Sequence, residues 1–314
     1  MERFVYVLVA ILFLALLVSI VLVIELWIEK RSLEAENNLL KKQLNETERY
    51  MYELWVNYTK LAVENKMQLE HIYYLDKVIE NLTSTLNNIT ITLSEYTSLP
   101  LSFKRVLTLD EVLATKWYVE AAGVIETSPW DSYRNLYIWV SSSIRYTYDP
   151  LIPVPYCEFL ANSSCILRYN IVDDYVQPPS YTLLYRQGDC EDMAILLYAM
   201  IKYYELFIHK SEYIVWIASI VFEDYTGHTA IIIPAVGGKI GVLDPAGRYM
   251  TMDIHGLLVA KPVREELENY SKWWEARGGI KTITLYRVDV VSRVYYIDAM
   301  GTLEEIIEYI ESTY

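Results

Sequence analysis

The sequence predicts an α+β domain that follows a membrane-spanning helix and a long coiled coil. Three observations predict it. Residues 4–24, "FVYVLVAILFLALLVSIVLVI", are an uncharged and almost wholly apolar run. Beyond them, apolar residues return every seven positions as far as residue 98. After 98 the pattern changes to helical segments and then to β-rich runs, the order of an α+β fold.

The apolar run is long enough, as a helix, to cross a hydrocarbon core of about 30 Å. No small-x-small cleavage site follows it, so an uncleaved anchor is expected. Its flanks and the rest of the chain point in opposite directions. Arg3 precedes the run, whereas Lys30, Arg31, Lys41 and Lys42 follow it, which places the body in the cytoplasm by the positive-inside rule. Six N-x-S/T sequons, at Asn45, Asn57, Asn81, Asn88, Asn162 and Asn269, exceed chance and favour an extracytoplasmic body carrying glycans. The expectation here follows the sequons: a single-pass protein of the cell membrane with its domain outside.

Residues 26–98 read as a stalk. Leu26, Leu33, Leu40, Leu54, Leu61, Leu75, Leu82 and Ile89 occupy d positions. Leu44, Met51, Tyr58, Ile72, Ile79, Leu86 and Leu93 fill most of the a positions between them. At 1.5 Å per residue this rod would be roughly 110 Å long. Asn37 and Asn65 at a positions favour a parallel, two-stranded pairing of identical chains. The four stalk sequons all fall off the a/d seam. A single amphipathic helix folded back on the domain has the same periodicity.

Residues 99–314 then form the domain. "SLPLS" (98–102) ends the rod, because proline disfavours helix at the residue before it. Helices are expected over 108–122 and 131–145, with Asp131 as an N-cap. Residues 147–181 lack a period and read as surface loop. A helix follows from about 190 to 206. Strands are expected at 213–222, 229–236 and 239–243, the last two joined by a Gly237-Gly238 turn, and again within 281–298. A closing helix starts at Thr302, with Glu305 completing a capping box.

Composition narrows the function. The net charge is −14. With no basic cluster longer than Lys41-Lys42, the chain lacks the positive footprint that nucleic acid requires. The 29 tyrosines carry no further meaning without such a face.

Chemistry concentrates in "RQGDCEDMAILLYAM" (186–200). Cys190 sits among Asp189, Glu191 and Asp192, whose charges raise a thiol's pKa. Two of the acids have a structural use, Asp189 as N-cap and Asp192 at the capping-box position. Cys190 then opens a helix, where free N–H groups and the dipole favour a thiolate. The dipole alone, about 0.3–1 kcal/mol, does not offset the carboxylates, so a histidine partner is needed. Of His71, His209, His228 and His255, His228 has the best setting, at a strand start beside a glycine. Asp244, in "VLDPAG", ends the next strand and would orient the ring. A tight Gly237-Gly238 turn, however, pairs Asp244 with Ile231, some 10 Å along the strand from His228. Either a bulge at Pro234 corrects that offset, or Asp224 serves instead.

"GDCEDMA", "GHTAIII" and "VLDPAG", in this order, resemble the transglutaminase-like superfamily of cysteine enzymes, and "IWVSSSIRYTYDP" (138–150) is similar to its lead-in helix and turn. The resemblance covers roughly 108–250. It implies a papain/transglutaminase-like fold, with the cysteine helix packed on an antiparallel sheet. It further implies Cys190 as nucleophile, His228 as base and acid, and Asp244 as orienting carboxylate. The oxyanion would be held by the Cys190 N–H and a second donor, for which Gln187 is the candidate. "HTAI" departs from the aromatic that usually follows the family histidine, so details of the substrate cleft do not carry over. No cofactor is expected, although some bacterial members bind calcium at positions matching Asp189 and Glu191. Cys157 and Cys165 would pair as a disulfide outside the cell and stay thiols inside it.

The expected activity is a thiol hydrolase acting on a peptide or protein substrate. Acyl transfer from glutamine to an amine uses the same acyl-enzyme, and a non-catalytic binding head on a stalk is the third reading.

Overall fold

A computed structural model describes residues 2–159, 165–172 and 175–314. The chain divides into two units, Met1–Thr85 and Leu86–Tyr314.

The first unit is helical throughout, as part of the continuous helix α1 (Glu2–Thr97). Its N-terminal part is long and apolar enough to cross a membrane, a test that a signal sequence also passes. The heptad seam, including Leu33, Leu40, Leu54, Leu61 and Leu82, is exposed on this single chain. Asn45, Asn57 and Asn81 are exposed on the same helix.

The second unit is the α+β domain. A short helix that the sequence does not predict, α2 (Leu99–Val106), comes first, and the helix expected over 108–122 is divided into two, α3 (Leu109–Ala114) and α4 (Lys116–Ala121). Thr108 caps α3 by accepting the Glu111 N–H, and the chain turns again at Thr115, whose hydroxyl donates to Val112 O. Helix α5 (Pro129–Ser143) starts two residues before Asp131. Proline at the first helical position sets that start. Asp131 therefore lies in the first turn, accepting from Ser128 Oγ, and is not the N-cap.

Residues 147–181 are not simply loop. After the short β1 (Arg145–Tyr146), strands β2 (Ile152–Phe159) and β3 (Cys165–Val172) form an antiparallel hairpin, and helix α6 (Pro179–Tyr185) follows. Pro153 and Pro155 hide the hairpin in the sequence; β2 tolerates them because, among the described residues, it pairs with β3 alone. Asn162, at its tip, lies outside the described residues. So do the side chains of Cys157 and Cys165, whose backbones pair with Leu167 and Phe159 respectively rather than with each other.

Short β4 (Gln187–Gly188) pairs in parallel with β1 and delivers the chain to α7 (Cys190–Tyr203). Every residue of α7 after Cys190 is buried, which marks it as the central helix and not a surface one. It runs into a π-helical turn, Tyr204–His209. Strands β5 (Trp216–Phe222), β6 (Gly227–Ala235), β7 (Lys239–Asp244), β8 (Tyr249–Met250) and β9 (Lys261–Pro262) come next. Helix α8 (Val263–Trp273), strands β10 (Ile280–Asp289) and β11 (Val294–Thr302), and helix α9 (Leu303–Thr313) complete the domain. The capping box of α9 between Thr302 and Glu305 is present as expected.

The described sheet runs β11-β10-β5-β6-β7-β8, with β9 beside β7. Side-chain alternation divides its two faces. Ile217, Ile231, Ile233 and Leu243 pack toward α7, whereas Ala218, Ala230, Ile232 and Val242 pack toward α8 and α9.

Candidate active site

The hairpin between β6 and β7 decides the site's geometry. Its turn is three residues, Val236-Gly237-Gly238, with Ala235 paired to Lys239 and Ile231 to Leu243. Both glycines have positive φ, 84° and 63°, which a side chain would disfavour. Continued by one residue, this register sets Asp244 opposite Ala230, not Ile231. That single step puts Asp244 on the same face of the sheet as His228, diagonally across and within side-chain reach. The ladder runs unbroken through Pro234, so no bulge is required. Asp224 is engaged elsewhere, accepting from the Thr226 N–H and hydroxyl in the β5–β6 turn.

His228 Nε2 lies 2.8 Å from Asp244 Oδ2, and both residues are buried. With the carboxylate accepting, Nε2 carries the proton and Nδ1 keeps its lone pair. Asp244 is satisfied on every side. The Tyr270 hydroxyl donates to Oδ2 at 2.8 Å, and the Gly247 N–H donates to Oδ1 at 2.7 Å. Gly247 must be glycine, because a Cβ there would overlap Asp244 and Trp274. Trp274 lies against the imidazole with ring centroids 4.6 Å apart, and the Arg277 guanidinium stacks on Trp274 in turn.

Cys190 is half-buried and lines a cleft of about 460 Å³ together with His228, Tyr146, Asp189, Glu191 and Arg277. Its thiol donates to Glu191 Oε2 at 3.3 Å, and the Thr229 backbone N–H points at Sγ. Among the described residues no hydrogen bond joins Sγ to the His228 ring. Burial above all, then the charges of Glu191 and Asp189, hold the thiol's pKa well above its ordinary value. The helix N-terminus therefore does not outweigh the thiol's surroundings.

The flanking acids differ in part from the capping expected of them. Asp189 is the N-cap residue of α7, but its side chain makes no capping bond. Asp192 takes the Asp189 N–H, one half of a capping box, and also accepts from Gln177 N and Nε2 at 2.7 and 2.6 Å. It thus ties the segment before α6 to the start of α7. Gln187 is not among the residues lining the cleft; its side-chain oxygen accepts from Arg145 at 2.8 Å. Tyr146, at the head of the Y-x-x-D-P turn in "IWVSSSIRYTYDP" but given no role at the site by the sequence, stands in the cleft instead. The remaining histidines lie apart: His71 is on α1, His209 bonds Glu126 O and the Tyr213 hydroxyl, and His255 sits in an exposed turn held by Asp253.

Two groups of acids have donor atoms close enough to share a cation: Asp189, Cys190 and Glu191, and Asp149, Asp189 and Asp192, each set within 4.8 Å. Carboxylate oxygens suit a hard ion such as calcium.

Residues 121–272 match the family described as the transglutaminase-like domain. That segment resembles a transglutaminase-like domain. The match spans the cysteine helix, the histidine and aspartate strands and all but the last residue of α8. Among solved structures, the chain is similar to Legionella pneumophila LapG. One such structure is 12% identical with a TM-score of 0.34, covering 66% of this chain and 99% of that one. The calcium-bound form is 14% identical with a TM-score of 0.30, covering 56% and 81%. No curated protein matches the chain.

Proposed function

We propose that the chain is a membrane-anchored thiol hydrolase that cleaves peptide or isopeptide bonds at the cell surface through Cys190, His228 and Asp244. The observation that carries this reading is the convergence of three separated segments. Cys190 and His228 share one cleft, and His228 is held from behind by Asp244 at 2.8 Å.

In this reading, His228 Nδ1 accepts the thiol proton as Sγ attacks the substrate carbonyl carbon. The C=O electron pair moves to oxygen, and the oxyanion faces the Cys190 N–H, one of the unpaired donors at the start of α7. Tyr146 replaces Gln187 as the second donor. Its phenol lies close enough to Cys190 to feel its charge, and burial first, then the nearby acidic groups, keep it protonated. The imidazolium returns its proton to the leaving amine, leaving a thioester that water hydrolyses by the reverse of the first steps. Asp244 holds the ring and supports its positive charge.

Calcium, if bound, would sit between the carboxylates of Asp189 and Glu191 and would offset the negative field on the thiol. The apolar start of α1 would serve as the anchor, and its exposed seam would pair two copies in parallel. The exposed sequon residues leave room for glycans if the domain lies outside the cell.

Iodoacetamide tests the reading. Cys190 in the full chain is expected to alkylate at least tenfold faster at pH 7 than in His228→Ala, because the imidazole takes the proton that the thiol's surroundings otherwise hold in place. Equal rates in the two proteins overturn it. A labelled amine appearing in a glutamine peptide, dependent on Cys190, would identify transfer in place of hydrolysis.

A further inference from the structure

The segment 263–277, helix α8 followed by the 3-10 turn Glu275–Arg277, carries three side chains of interest: Tyr270 on the helix, Trp274 at its end and Arg277 in the turn. The first meets Asp244, the second covers His228 and the third lines the cleft. Tyr270 is the least explained of them. It is fully buried and does not line the cleft, so it cannot touch a substrate. Its hydroxyl nevertheless donates at 2.8 Å to the same carboxylate oxygen, Oδ2, that receives the imidazole N–H. Two donors converging on one oxygen, with Gly247 fixing the other, leave the carboxylate a single rotamer.

We infer that Tyr270 is a positioning residue for the His228–Asp244 pair, acting through Asp244 and not on the substrate. This inference rests on the triad proposed above. The O–H stops the carboxylate from turning away from the ring and completes the hydrogen bonding of a charge with no access to water, so the imidazolium formed during attack keeps its partner. A purely structural tyrosine would contribute to stability and leave the thiol's reactivity alone.

The domain supplies its own control. Tyr249 pairs with Asp244 across the sheet and packs on Tyr270 with ring centroids 4.8 Å apart, but its hydroxyl donates to a different buried carboxylate, Glu266 Oε1, at 2.7 Å, so Tyr249→Phe keeps the packing and removes only that bond. Tyr270→Phe and Tyr249→Phe are to be compared in the detergent-solubilised full chain, reading the pH profile of Cys190 alkylation beside the melting temperature. Both variants lose stability. Tyr270→Phe alone is expected to slow alkylation at pH 7 about tenfold and to move the profile's midpoint up by about one pH unit. In an Asp244→Asn background the Tyr270→Phe change should have no further effect on alkylation, and that background serves if the phenylalanine variant does not fold beside a charged Asp244. The inference is overturned if Tyr270→Phe alkylates like the parent while His228→Ala does not, if Tyr249→Phe slows alkylation equally, or if the effect persists in the Asp244→Asn background. A parent whose thiol alkylates no faster than that of His228→Ala overturns the triad, and the positioning role with it.

Discussion

Cys190 is a thiol whose neighbours oppose its ionisation. Burial contributes most, followed by Glu191, which also accepts its hydrogen bond, and then by Asp189. The sign of the effect makes a prediction. Glu191→Gln removes a negative charge and turns a charged acceptor into a neutral one, so the thiol pKa falls and more thiolate is present at a given pH. Alkylation at pH 7 should rise several-fold; an unchanged or slower rate would show that Glu191 does not set the thiol's ionisation. The residue identities of the proposed triad are legible in the sequence, because a cysteine before a buried helix and a histidine at a strand start are local features. Tyr270 is not, since nothing near it in the chain distinguishes it from the other tyrosines; Tyr146 heads the Y-x-x-D-P turn, but that pattern alone does not show that its phenol enters the cleft.

At the level of elements, strands, the central helix and the final capping box follow from periodicity and capping chemistry alone. The departures lie where a long-range contact decides the outcome. Prolines mask the β2–β3 hairpin, and the site register differs by one residue because the chain takes a three-residue turn where its glycine pair suggests a tighter one. The link between α7 and the segment before α6 is equally invisible in the sequence. Asp192, bonded to Gln177 across that gap, has its pKa pushed up to about 8 from 3.8, chiefly by burial and then by the charge of Asp189. The folded domain therefore holds this proton more tightly than the unfolded chain. Stability is fully present below about pH 4 and is lost as pH rises through about 8. Between pH 5 and pH 9 the melting temperature should fall by roughly 5–10 °C more in the parent than in Asp192→Asn. Equal slopes in the two proteins would exclude Asp192 as the source.

For the whole molecule, the continuous helix α1 presents an apolar seam that a single chain leaves in water. In the proposed dimer a second copy in parallel would cover it residue for residue, Leu33 on Leu33 and Leu75 on Leu75. At the flanking positions Glu36 would meet Lys41 and His71 would meet Asp76 of the other strand, whereas Glu29 would meet Glu34. Leu33→Cys and Leu75→Cys, made separately, should each give a covalently linked dimer on mild oxidation, at yields well above an exposed control such as Ser32→Cys. Linking at only one of the two, or at neither, is inconsistent with a parallel, in-register pair.

The turn at Val236-Gly237-Gly238 has a consequence beyond holding two strands together. Closing the same sequence on Gly237-Gly238 alone, with Val236 opposite Lys239, would leave every functional side chain in the sequence yet aim the 244 carboxylate at the far side of the sheet. A relative that closes this hairpin one residue tighter at the same motif spacing can thus keep the three signature motifs and lack the partnership they advertise. In comparing such chains, the residues of the turn carry the same weight as the motifs themselves.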